Sequence, residues 1–184
     1  GLDPVSGKQI GIPTGDPRNF TSYEELFTAF QKQLHHFVEI KIKGNQIIEQ
    51  LYATIMPAPF LSLIIDDCIT KGMDYNAGGA RYNTNYLQGV GIGSITDSLS
   101  ALKYHVFDRK NLSMDTLLSV LSDNFRGEQE VYQLLKNHTP KYGNDDDYAD
   151  TIMEEVFNTF FQEVDGRPNS KGGKYCINML PTTC

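Results

Sequence analysis

The stretch that decides the fold reads DYNAGGARYNTNY over residues 74–86. It mixes glycines with aromatic and amide side chains, and Arg81 is its one basic residue. Small-molecule cavities are shaped by aromatic rings, while a few polar groups orient the ligand. The stretch therefore favours a pocket wall, with an ordinary surface loop as the alternative. Helical patterns flank it on both sides.

On the N-terminal side, a long helix is predicted to begin near Ser22, which forms a capping box with Glu25. Apolar residues then recur at helical spacing through Val38. Gly44-Asn45 is expected to break this helix. A single short buried helix is predicted over residues 61–70.

On the C-terminal side, residues 87–93 are expected to be irregular, and helix should resume at Ser94. Ser113 is predicted to cap a helix whose Leu121 faces a core. The last long helix is expected over residues 145–164, and residues 175–180 are predicted to form a strand.

The glycines of QGVGIG at residues 88–93 invite a nucleotide-binding interpretation. That interpretation fails because Ser94 stands where the third glycine of a dinucleotide motif belongs, and no Gly-Lys-Ser/Thr follows. Glycines that permit close backbone packing at a turn are the better prediction.

No metal site is predicted. The acidic run at residues 144–147 breaks the calcium-loop pattern at Ala149, so a helix N-terminus explains it better. Adjacent His35 and His36 point in different directions on a helix. The cysteines, which form no C-x-x-C pair, indicate reduced thiols in a cytoplasmic protein; they are Cys68, Cys176 and Cys184.

Composition excludes several classes of function. The 184 residues are 40% hydrophobic and 21% charged, as in globular proteins. A net charge of −7 argues against nucleic acid as a partner. No apolar run approaches the roughly 20 residues that cross a bilayer, so no membrane partner is predicted.

Several motifs occur in an order that is familiar: GGARYN at 78–83, QGVG at 88–91 followed by DSL at 97–99, PKYGND at 140–145, and LPTT at 180–183. Together they resemble the large domain of glycyl radical enzymes of the pyruvate formate-lyase superfamily. The resemblance implies an α/β fold: a fragment of a ten-stranded barrel, mainly helical in this piece with a few strands. Residues 1–184 would form a partial pyruvate formate-lyase-like domain.

The resemblance also implies a mechanism for the full-length protein. A glycine Cα radical generates a thiyl radical that abstracts hydrogen from a small-molecule substrate, while a carboxylate acts as general base. A separate radical S-adenosylmethionine activating enzyme would install the glycyl radical. The parent protein would be an oxygen-sensitive cytoplasmic homodimer, with no other cofactor bound in this piece.

The chain departs from the family where the reacting groups belong. The family's cysteine loop reads Gly-Cys-x-Glu and its radical loop contains Gly-Tyr, and neither pattern occurs in these residues. The chain, which starts at Gly1, is therefore predicted to be an internal fragment. It would lack the cysteine loop and the C-terminal glycyl radical domain, contain no catalytic residue, and be inactive and poorly soluble alone.

The residues predicted to bind substrate come from the same resemblance. In related dehydratases the segment matching LPTT contributes hydroxyl groups to the substrate, which indicates Thr182 first and Thr183 second. Hydroxyls satisfied by neighbouring backbone are the alternative. Arg81, Tyr82 and Asn83 follow, with a structural role favoured over direct contact.

The subclass depends on the residues after Arg81. Choline- and glycerol-type relatives tend to read Tyr-Asn-Phe before Gly-Pro-Gln-Gly, whereas residues 82–89 read YNTNYLQG. The sequence is more similar to the trans-4-hydroxyproline dehydratase group. Alternatives are a pyruvate formate-lyase-type acyltransferase, a glycerol, propanediol or choline lyase, and a non-catalytic helical interaction domain.

Overall fold

The computed structural model describes residue 3 and residues 5–180. Helices dominate, and the strands form one two-stranded sheet. The α-helices are α1 (Tyr23–Ile55), α2 (Pro59–Ile64), α3 (Cys68–Lys71), α4 (Ile92–Ala101), α5 (Met114–Ser122), α6 (Gln129–Asn137) and α7 (Asp147–Val164). The strands are β1 (Asn85–Val90) and β2 (Tyr175–Leu180), and a π-helix (Leu102–Asp108) continues α4.

The chain divides into two compact units. Among the described residues, the first unit comprises residues 3, 5–33, 90–159 and 180, and the second comprises residues 34–89 and 160–179. In the first unit, the π-helix buries His105, whose ring nitrogens lie 3.1 Å from Asn111 Oδ1 and from Thr139 Oγ1. The buried apolar side chains of the first unit include Leu26, Ile92, Leu99, Leu117, Val120, Ile152 and Val156.

The second unit has its own apolar core between helix and sheet. Val38 and Ile42 from α1, Leu87 from β1 and Tyr175 from β2 are buried together, with Val164 from the end of α7. The apolar residues of α1 recur at the spacing of one helix face, so they form a continuous stripe that packs against the sheet.

The two strands run parallel. Asn85 N–H, at the start of β1, donates to the carbonyl of Lys174 just before β2. Near the other end, a side-chain carbon on Gly89 would lie 2.5 Å from Met179 Sδ. Glycine at residue 89 therefore leaves room for the end of the flexible Met179 side chain.

Other local predictions are also confirmed. Ser113 Oγ accepts the Thr116 N–H at 3.0 Å, which caps α5, and β2 spans the predicted residues. Cys68 is buried, as expected of a small apolar side chain. The N-terminus of α7 is capped by Asp146, whose carboxylate accepts the Tyr148 N–H at 3.0 Å.

The prediction of a break at Gly44-Asn45 is wrong, because α1 continues through both residues. A helical glycine costs only about 1 kcal/mol relative to alanine, which the buried stripe on either side outweighs. The capping box is also shifted. Ser22 Oγ accepts the Glu25 N–H at 3.3 Å, but the Glu25 carboxylate accepts the Thr21 N–H at 2.7 Å.

Residues 61–70 do not form the single buried helix that was predicted. Asp67, at a φ of 76°, separates α2 from α3, and α2 buries none of its residues. Phe60 and Ile64 are among the most exposed apolar side chains, at 85% and 78%. An apolar helix that stays exposed is the kind of surface that marks a site of contact with other protein.

Two further expectations fail around the glycines and in α5. Helix resumes at Ile92 rather than at Ser94, because Gly91 adopts a φ of 83° and turns β1 directly into α4. In α5 the core side is set by Leu117 and Val120, while Leu121 is half exposed.

A pair of glycine substitutions tests this packing. A side-chain carbon at Gly173 would lie 2.0 Å from the Asn83 carbonyl oxygen, whereas one at Gly44 would meet nothing within 4 Å. In the full-length protein we expect Gly173→Ala to cost about 2 kcal/mol of unfolding free energy. Gly44→Ala should stabilise α1 by roughly 0.5–1 kcal/mol. Urea unfolding measures both, and equal effects of one sign would contradict this packing.

Candidate functional site

The loop that precedes β1 is held at its start by Asp74. Its carboxylate accepts the Ala58 N–H at 2.9 Å, the Ser62 hydroxyl at 2.7 Å and the Asn76 N–H at 2.8 Å. These donors lower the pKa of Asp74, with the Ser62 hydrogen bond as the largest cause. The loop is therefore fixed to α2 before it reaches the predicted site residues.

Asn83 folds the loop back on itself. Its side-chain amide donates to the carbonyls of Gly78 and Ala80, both at 3.0 Å. With both amide protons used inside the loop, Asn83 serves to shape the backbone.

Arg81 is held by two carboxylates. Its guanidinium lies 2.9 Å from Asp67 Oδ1 and 3.3 Å from Asp66 Oδ2. The hydrogen bond from Arg81 is the main reason why the pKa of Asp67 is lowered. Arg81 is about half exposed and Asp67 about a third, so their ion pair contributes little to stability.

Tyr82 is the predicted site residue most open to a ligand, with 83% of its surface exposed. It borders a shallow groove with Arg81, Tyr75 and the apolar side chains of Ile64 and Ile65. An aromatic ring, apolar walls and a guanidinium could orient a small polar molecule. Thr182 and Thr183, predicted first for substrate binding, lie outside the described residues.

One buried, charged side chain in the second unit makes several hydrogen bonds that the sequence did not indicate. Glu49, in the last quarter of α1, is only 9% exposed. One carboxylate oxygen accepts the Asn85 amide and the Tyr175 hydroxyl, the latter at 3.2 Å. The other accepts the Ser170 hydroxyl and its N–H, the latter at 3.1 Å. Glu49 thus joins α1 to β1, β2 and the loop between α7 and β2.

Asn169 extends this connection to the predicted site loop. Its amide group donates to the Asn83 carbonyl and to Asn85 Oδ1, the latter at 2.9 Å. Its own Oδ1 accepts the Gly173 N–H at 2.8 Å. We call Glu49, Asn83, Asn85, Asn169, Ser170 and Tyr175 the Glu49 network.

Tyr175 is the titrating member of this network. Burial, followed by the nearby Glu49 carboxylate, raises the pKa of Tyr175 to about 12. A phenolate there would be buried beside a negative carboxylate, whereas the neutral hydroxyl donates a hydrogen bond to that carboxylate. Burial and the Glu49 charge therefore both favour the neutral form of Tyr175. The hydrogen bond from Tyr175 to Glu49 therefore forms only while the phenol is protonated.

The sheet presents its second face away from the core. Successive side chains of a strand alternate between faces. Leu87 and Tyr175 are buried on the core side, whereas Tyr86, Gln88 and Asn178 are exposed and Cys176 is half-buried. We call Tyr86, Gln88, Cys176 and Asn178 the open face. The sequence missed it because β1 was not predicted as a strand.

Metal and membrane features do not emerge from the described part of the chain. Residue 3 and residues 5–180 contain no cluster of three or more His, Cys, Asp or Glu side chains able to hold a metal ion. Over the same residues, no helix combines the length and apolar character needed to cross a membrane.

Comparison with known proteins agrees with the motifs. The pyruvate formate lyase-like family model matches residues 1–184. Trans-4-hydroxy-L-proline dehydratase from Clostridioides difficile is 64% identical over 184 residues, which is 100% of this chain and 23% of that protein. The chain thus spans about a quarter of the length of this relative.

Solved structures give the same relation. The crystal structure of hydroxyproline dehydratase from Clostridioides difficile, with trans-4-hydroxy-L-proline bound, matches with a TM-score of 0.95 and 63% identity. That match covers 99% of this chain and 23% of the other. The glycerol-bound B12-independent glycerol dehydratase from Clostridium butyricum matches with a TM-score of 0.88 and 35% identity, over 96% and 22% of the two chains.

The raised pKa of Tyr175 predicts an alkaline loss of stability. Because its folded pKa lies above the usual tyrosine value of about 10, its contribution is complete below pH 10 and is lost as the pH rises through about 12. Tyr175→Phe should remove this component from the stability of the full-length protein. Urea midpoints from pH 9 to 12 measure it, and Tyr86→Phe, which removes an exposed phenol, is the control. An unchanged slope in Tyr175→Phe would contradict the assignment.

Proposed function

This chain belongs to the pyruvate formate lyase-like family, and from that membership we propose that it forms part of the cavity wall of a glycyl radical dehydratase. The proposed substrate is trans-4-hydroxy-L-proline. Identity of 64% along the whole chain to a dehydratase of that substrate is the observation that supports this choice most. Relatives at lower identity include dehydratases of other small polar molecules.

The proposed division of labour follows from what the residues contain. Gly-Cys-x-Glu and the Gly-Tyr of the radical loop are absent from the sequence, so this chain supplies no hydrogen-abstracting atom. We propose that residues 1–184 are part of one pyruvate formate-lyase-like domain whose cysteine and glycine loops belong to the rest of the parent protein. Its own residues bind and orient the substrate and keep water out.

Substrate contact is assigned first to Thr182 and then to Thr183. They follow β2 and Pro181 in the sequence, and hydroxyl groups there could bond the carboxylate or hydroxyl of a cyclic amino acid. Tyr82 and Arg81 are assigned a supporting role at the groove of Ile64 and Tyr75. Asn83 acts through the shape of its loop.

The setting of the parent protein is proposed from the family. A glycyl radical requires an activating enzyme, proposed to be a radical S-adenosylmethionine protein, and it requires protection from oxygen. The parent is proposed to be a cytoplasmic homodimer. Free thiols at Cys68 and Cys176 agree with a reducing compartment.

A substrate panel tests the proposed reaction. The full-length protein, activated under anaerobic conditions, should dehydrate trans-4-hydroxy-L-proline and leave glycerol, propanediol and choline largely unchanged. Product analysis by mass spectrometry and the radical signal in electron paramagnetic resonance are the measurements. Turnover of pyruvate alone would indicate C–C cleavage instead, and absence of an inducible radical would favour an interaction domain.

Threonine variants test the assigned contacts. Loss of one hydrogen bond to a polar substrate group costs roughly 1–3 kcal/mol, so Thr182→Val should raise KM about tenfold to a hundredfold. Thr182→Ser keeps the hydroxyl and should restore most of the affinity. Thr70→Val, an exposed position on α3, is the matched control. If Thr182→Val and Thr70→Val behave alike, Thr182 does not contact the substrate.

A further inference from the structure

The Glu49 network connects segments that the proposed function treats separately. Asn83 belongs to the loop of Arg81 and Tyr82, and Tyr175 opens the strand that leads towards Thr182 and Thr183. Both belong to the network through hydrogen bonds: Asn83 bonds to Asn169, and Tyr175 bonds to Glu49. A displacement of the carboxylate would therefore reach both.

Because Glu49 is a buried carboxylate, its hydrogen bonds are needed to offset the cost of burial. A buried carboxylate is costly unless its oxygens are fully hydrogen-bonded. Each oxygen here accepts two donors, and every donor is an uncharged group from Asn85, Ser170 or Tyr175. The donors come from three different segments, so the carboxylate is satisfied only when all three are in place.

Backbone packing narrows the arrangement further. Gly173 lies so close to Asn83 that a side-chain carbon at residue 173 would collide with the Asn83 carbonyl. The Asn85 N–H bonds the Lys174 carbonyl at 3.0 Å, which sets the register of β1 against β2. A shift of β2 by one residue would break this bond, turn Tyr175 towards the open face and remove it from Glu49.

We propose that Glu49 is a positioning residue. Through Asn85, Ser170 and Tyr175 it fixes the register of β2 and the position of the loop that carries Arg81 and Tyr82. In this way it places the substrate-binding groups. This inference rests on the proposed function for the identity of those groups. Glu49 touches neither substrate nor reacting atoms in it. Its effect is on the placement of β2 and of the loop that carries Arg81 and Tyr82.

The chain offers a matched pair of tyrosines for the test. Tyr175 is fully buried and its hydroxyl donates to Glu49. Tyr23 is 6% exposed, and its buried hydroxyl finds no hydrogen-bond partner within the described residues. Replacing either by phenylalanine keeps the ring in the core, but only Tyr175→Phe removes a bond of the network.

The experiment uses the full-length protein before activation. Backbone hydrogen exchange of residues 174–180 should be roughly tenfold faster in Tyr175→Phe, and faster still in Glu49→Gln, which turns an amide NH₂ towards existing donors. The dissociation constant for trans-4-hydroxy-L-proline, measured by calorimetry, should rise by about threefold to tenfold in both. Tyr23→Phe should leave exchange in residues 174–180 and the dissociation constant unchanged.

The outcomes separate the inference from the proposed function. Unaltered protein that fails to bind hydroxyproline contradicts the proposed substrate, and the exchange measurement still decides whether Glu49 fixes β2. Unchanged exchange in Glu49→Gln overturns the inference. So does a lower melting temperature with an unchanged dissociation constant, because a merely structural carboxylate would behave in that way.

Discussion

A single buried carboxylate organises the second unit. Removing Glu49 from water costs several kcal/mol, which its hydrogen bonds offset only if all of them form together. Because Asn85, Ser170 and Tyr175 lie far from Glu49 in the sequence, the chain must be folded across long distances before the carboxylate is satisfied. Such a group specifies one arrangement among similar ones, since a misregistered sheet would leave the charge buried and unpaired.

That specification matters because the sheet itself is weakly determined. The two strands within this chain are parallel, and a parallel pair needs a long connection instead of a tight turn that would set its register. The apolar core covers one face of the sheet and selects which side chains turn inward. The apolar core does not fix the register of β2 against β1. The hydrogen bond from the Asn85 N–H and the close approach of Gly173 to Asn83 fix it.

Local signals in the sequence predicted what depends on local chemistry. The Ser113 cap and the strand over residues 175–180 follow from side chains within a few positions. The sequence did not predict β1, because asparagine, glutamine and glycine are poor strand formers that sit there only beside β2. Glu49 was invisible for a related reason: on an amphipathic helix it looks like a solvated charge, and its partners are distant in sequence.

The contrast between buried and exposed side chains of the sheet bears on how members of this family differ. A solved relative at 35% identity keeps the arrangement with a TM-score of 0.88, so the backbone tolerates replacement of most side chains. Core positions such as Leu87 and Tyr175 are limited by packing and by the Glu49 network. Gln88 and Asn178 on the open face are exposed within this chain and lie outside that core. One scaffold can host different functions when exposed side chains change while its core and register stay fixed.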